Sequence, residues 1–150
     1  MNRERYLAKS VGDNIEGTRA GLVKFLELLG QYDDAVIVVP SIRDYKGNLL
    51  DTLLQGYNPA LAKALIRDRE IVLDGNSRVA LCAHATLKNY SRSKLYLVLW
   101  GAHDTIADIE ALHSWRAVVH VSWQSGDYAA WIRDYPVDVI YDDGAPDFRI

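Results

Sequence analysis

The amino-acid sequence predicts an α/β domain, a three-layer α/β/α sandwich around a five-stranded, mostly parallel sheet. Three observations predict it. The stretch Leu95–Trp123 reads as an apolar strand (LYLVLW), a short amphipathic segment and a second apolar strand (VVHVSW), which is the pattern of a βαβ unit. Other apolar runs, AVIVV foremost, are uninterrupted, as strands covered on both faces are. Helical periodicity separates the runs, and such alternation implies right-handed crossovers with helices on both faces. The expected frame is flavodoxin-like or Rossmann-like.

Residues Asp13–Gly30 form the first expected helix. Asp13 and Glu16 have capping-box spacing, Ile15, Leu22, Phe25, Leu26 and Leu29 share a face, and Gly30 is the stop. Gly17 and Gly21 either weaken this helix or admit a neighbouring backbone. The dozen residues before it read as a flexible arm.

Ala35–Val39 is the first expected strand, ended by Pro40 and followed by the loop SIRDYKG. Two helical pieces follow, LLDTLLQ capped by Asn48 and PALAKALIRDRE begun by Asn58-Pro59. Ile71–Leu73 is the second strand. For the segment after Asp74-Gly75, two readings compete. Ser77 caps a helix VALCAHATLKNY, or IVL-DGNS-RVALC is a β-hairpin on its Asp-Gly turn. The helix is preferred because it supplies the crossover that parallel strands need.

Leu95–Trp100 is the third strand, and a helix follows, begun by Asp104 or Thr105. Ala117–Trp123 is the fourth strand. Asp127 caps a helix YAAWIRDY that Pro136 stops, and Val137–Tyr141 is a fifth strand placed at an edge by Asp138. The last residues, 144–150, read as irregular tail.

Composition narrows the function classes. The 150 residues (16.9 kDa) suit one domain, able to bury roughly 70% of its unfolded surface. With 49% hydrophobic and 25% charged residues, the composition is that of an ordinary globular protein and argues against intrinsic disorder. A lone cysteine, Cys82, excludes an intramolecular disulfide, and no Cys/His spacing suggests a metal site. No apolar core follows the basic start and no apolar run exceeds strand length, so a membrane is not expected and the cytoplasm is. A net charge of −3 argues against general nucleic-acid binding. The nine tyrosines and four tryptophans pack helices on the sheet, or offer a surface for a partner or a second copy.

In open parallel sheets, ligands bind beyond the carboxyl ends of the strands, where strand order reverses. With order 2-1-3-4-5, that point lies between the first and third strands. Their loops hold Ser41, Arg43, Asp44 and Lys46, and His103 and Asp104. Arg43 can grip a phosphate or carboxylate with two donors, Lys46 adds a point charge, and Trp123 can stack on a planar ring. Neither G-x-G-x-x-G nor G-x-x-x-x-G-K-[ST] occurs, which argues against a standard dinucleotide or P-loop site and identifies no cofactor. His103 is the candidate acid/base, with Ser41 as its nucleophile across the gap and Asp104 as helix cap. His120, between valines, is expected buried and neutral on a backbone carbonyl. His84 and His113 stand out in no way. The first expectation is a binding domain for a small anionic ligand or a protein partner. A small hydrolase or transferase using His103, and a homodimer-forming structural protein, are the alternatives.

Overall fold

Period-two burial splits the sheet residues into two cores. In the run Asp34–Val39, Ala35, Ile37 and Val39 join one buried cluster while Val36 and Val38 join the other. The same alternation runs through Val79–Cys82 and Leu95–Leu99. A strand buried on both faces has this signature, and it makes the domain a three-layer sandwich.

The structure, a computed structural model, describes residues 3–12, 14–41, 49–73 and 77–144. Its strands are β1 (Glu4–Lys9), β2 (Asp34–Val39), β3 (Glu70–Val72), β4 (Arg78–Ala83), β5 (Leu95–Leu99), β6 (Ala117–Val121) and β7 (Asp138–Asp142). Its α-helices are α1 (Ile15–Leu29), α2 (Leu49–Tyr57), α3 (Pro59–Asp68), α4 (His103–Glu110) and α5 (Ala129–Asp134), with a 3-10 helix over His84–Tyr90. The order across the sheet is β3-β4-β2-β5-β6-β1-β7, and only the β3–β4 pair is antiparallel. Helices α1, α2 and α3 pack on one face through Leu22, Phe25, Leu54 and Leu65. The 3-10 helix, α4 and α5 pack on the other through Leu87, Ile106, Ile109 and Trp131. Among the described residues, no helix is long and apolar enough to cross a membrane.

The sheet therefore has seven strands, two more than the sequence reading counts. One of them is β1, in the segment read as an arm. Leu7 and Ala8 are fully buried, and β1 pairs in parallel with both β6 and β7. Its charges obscure it, yet they are used in the fold. Arg5 forms a two-pronged pair with Glu110 (2.7 and 2.9 Å) and lies 4.2 Å from the centre of the Tyr135 ring.

The other is β4. Residues 78–83 are strand and not helix, and the hairpin alternative is the one realised, with Glu70 opposite Ala80 and Val72 opposite Arg78. An apolar run such as VALCA suits a buried helix face and a doubly covered strand equally, and its pairing with β2 decides between them. The residue that caps α1 is Asn14, its Oδ1 accepting from Gly17 N–H at 3.0 Å. Asp13, Asn48 and Asp74 lie outside the described residues.

Helix α1 lies close on the sheet because two of its residues lack side chains. A Cβ at Gly17 would stand 2.6 Å from Ser10 Cβ, and one at Gly21 would stand 2.3 Å from Val121 Cγ2.

Candidate functional site

The chain leaves β2 toward α2 and α3 on one face, and leaves its neighbours β4 and β5 toward the other. The same divergence separates β1, which leads to α1, from β6, which leads to α5. Each divergence opens a crevice at the carboxyl edge of the sheet. The two differ in chemistry.

Beside β1 the backbone donors of the described residues are already engaged. Val11 N–H donates to Asp143 Oδ2 and Gly12 N–H to the Trp123 carbonyl, both at 2.9 Å. The connection has the glycine spacing of a phosphate-cradling loop, Gly12 and Gly17, but Thr18 stands where such a loop needs lysine. Asp143 already accepts from it, and Glu16 lies in the first turn of α1. An anion would meet like charge and spent donors here.

Beside β2 the population is different. His84 follows β4 directly, and its Nε2 lies 2.6 Å from Asp108 Oδ2. Its Nδ1 lies 3.3 Å from Thr105 Oγ1. A hydroxyl, an imidazole and a carboxylate are thus linked across the gap between the 3-10 helix and α4. Thr105 is buried, so its hydroxyl orients the ring rather than meeting a substrate. Sequence reasoning missed His84 because the helix reading places it mid-helix, where nothing sets it apart from surface residues. Under the hairpin reading it falls at a strand's carboxyl end, where sites form, and that was the available signal.

The expected site residues are dispersed along this edge. Ser41 is half-buried two residues past β2. Arg43, Asp44 and Lys46 lie outside the described residues. His103 opens α4 and lines a cavity of about 220 Å³ between α4 and α5 with Ile106, Trp131 and Tyr135. That cavity is on the β6 side of α4, away from β2, and no hydrogen bond joins Ser41 to His103 among the described residues. Asp104 does not cap α4. The cap position is Ala102, and Asp104 Oδ1 instead contacts His103 Nδ1 at 3.1 Å, with both side chains exposed.

Trp123 remains 42% exposed and meets Trp100 edge-on, the ring centres 6.3 Å apart. Trp100 itself has φ 55°, a left-handed backbone that costs a bulky residue roughly 1–2 kcal/mol. Its N–H donates to the Val121 carbonyl (2.7 Å), and its indole N–H to Thr18 Oγ1 (3.3 Å). Behind it, His120 Nε2–H donates to the Gly101 carbonyl at 3.0 Å. Burial pushes this imidazole down to about 4, so it is neutral, as the sequence reading expects, with Nδ1 unpartnered. Among the described residues, no group of three or more His, Cys, Asp or Glu side chains is placed to hold a metal ion.

No protein-family model matches the chain, and no curated protein matches it. Among solved structures it is similar to a mutant of the ATPase domain of the large terminase of Thermus phage P74-26. The identity is 13%, the TM-score 0.39, and the match covers 81% of this chain and 59% of the phage domain. The chain thus spans about three fifths of that domain, and at this degree of likeness nothing of its activity carries over.

Proposed function

We propose that the domain binds a small anionic ligand at the carboxyl edge of its sheet, in the crevice beside β2. One observation carries this reading: β2 exits to one face while both its neighbours exit to the other. The connection that follows β2 contains Arg43 and Lys46, the cations suited to a phosphate or carboxylate. The β1 crevice, rich in acids, is the poorer host. Asp44 and Asp104 offer acceptors for ligand hydroxyls, whereas Trp123 follows β6, two strands from β2, with its carbonyl on Gly12 beside β1, and is not part of this crevice. The frame is read as Rossmann-like, since β3, β2, β5, β6 and β7 keep the order 2-1-3-4-5 once β4 and β1 are set aside.

The test is thermal unfolding with inorganic phosphate, nucleotides, sugar phosphates and carboxylates. A ligand at a hundred times its Kd should stabilise the fold by about 2.7 kcal/mol, several degrees for a domain of this size. Arg43→Ala and Lys46→Ala should each erase much of that shift. A shift that survives both substitutions, or none with any ligand, overturns the reading.

A second reading, acid/base catalysis on the bound anion, is favoured by the contacts of His84. The imidazole with both a carboxylate and a hydroxyl partner is His84, while His103, the first candidate from sequence, has only its exposed neighbour. Under this reading His84→Gln abolishes turnover and leaves ligand stabilisation intact, whereas His103→Gln alters turnover little. The converse pattern would return the role to His103.

A further inference from the structure

The edge strand β7 pairs with β1 on one side, and among the described residues nothing pairs with its other side. Such an edge is a template for another strand unless charge, proline or a covering element blunts it. Here β7 carries an aspartate at each end and a bulge opposite Leu7–Ala8, and between those guards its surroundings are apolar. A groove of about 400 Å³ runs between β7 and α1, with Ala20, Val23, Ile140 and Tyr141 in its walls. Val23 (48% exposed) and Ile15 (38%) lie two turns apart on α1, and Val139 (47%), in register with Leu7, is exposed on the opposite face of β7. Large apolar side chains gathered along an open strand edge mark an interaction surface.

Charge says what lies there. Asp138 and Asp142 stand exposed at the two ends of β7. Glu16 and Glu27 rim the groove, and the nearby cations Arg19 and Lys24 are already paired with them. Lys9, in register with Asp142, reaches over the Tyr128 ring instead. A second copy is a poor occupant. Two β7 strands paired antiparallel about Ile140 would set Asp138 against Asp142 of the other copy at both ends, and like charges directly opposed destabilise a pair.

We propose that β7 takes on an additional strand, an extended segment of another protein with apolar residues at its centre and Lys or Arg at both ends. Main-chain hydrogen bonds to the β7 edge supply affinity, the α1 groove selects the apolar side chains, and the aspartates select the ends.

Two synthetic peptides test this, Thr-Lys-Val-Thr-Val-Lys-Thr and its counterpart with Glu for both Lys, each titrated while backbone amide resonances are followed. The Lys peptide should shift the amides of β7 and of α1 around Val23. The Glu peptide should bind about fivefold to tenfold more weakly, as two exposed ion pairs are lost. The double variant Asp138→Lys, Asp142→Lys changes only exposed positions, so its spectrum should stay folded while the preference between peptides inverts. Equal binding of the two peptides, shifts confined to other elements, or no binding at millimolar peptide would overturn the proposal. A concentration-dependent dimer formed through β7 would overturn it in favour of a second copy.

Discussion

His120 shows how a single buried side chain ties the core to the carboxyl edge. Its Nε2–H holds the Gly101 carbonyl, so the ring braces the turn in which Trp100 adopts its left-handed backbone. Burial depresses its pKa from 6.5 to about 4. Between those values the unfolded chain binds more protons than the folded one, so stability rises with pH across that window and is flat above it. The loss on acidification is on the order of 3 kcal/mol. His120→Gln keeps a donor for Gly101 without titrating. Urea unfolding of both proteins from pH 4 to 8 should show their stability difference changing with pH only below about 6.5. A difference constant across the range would remove His120 as the cause. The expectation of a buried, neutral histidine on a carbonyl needed only its position among valines. That the carbonyl belongs to Gly101 did not follow from the chain, because 19 residues and a helix separate them.

At the scale of elements, α1 is the case where sequence stated the alternatives and packing chose. Gly17 and Gly21 read as weak helix positions or as close approaches, and the contacts with Ser10 and Val121 make them approaches. Gly21→Ala would therefore destabilise by about 1–3 kcal/mol through overpacking, although alanine is the better helix former. Denaturant unfolding checks this, and a more stable variant would show that α1 can lift from the sheet at no cost. Residues 77–90 teach the opposite lesson. The Asp-Gly turn signalled a hairpin, but the run VALCAHATLKNY also carries a helical stripe. The helix reading hid both β4 and the position of His84 at a strand end. Cys82 is buried in β4, and that burial pushes its thiol up to about 12, which leaves it inert to thiol reagents until the chain unfolds.

For the whole molecule, the first dozen residues matter most. They supply β1, the strand between β6 and β7, and without it β7 has no partner among the described residues. Removing residues 1–12 should abolish cooperative thermal unfolding, where loss of a mere arm would leave the midpoint nearly unchanged. Circular dichroism on heating distinguishes the two. Much of the architecture was legible from local pattern. The βαβ unit Leu95–Trp123, the doubly covered strands, the Asn58-Pro59 helix start and the edge position of the last strand each follow from periodicity and capping chemistry, which act over a few residues. Strand order, the placement of β1 and β4, and the meeting of His84 with Asp108 were decided only by tertiary structure. These are pairings between segments far apart in the chain, and nothing in the residues of one segment names the partner that best buries it. By itself the sequence determined that the chain folds as a layered α/β domain with helices on both faces. The fold decided which residues share an edge, because hydrogen-bonded strand pairing is a property of two segments and of the sheet that accepts them.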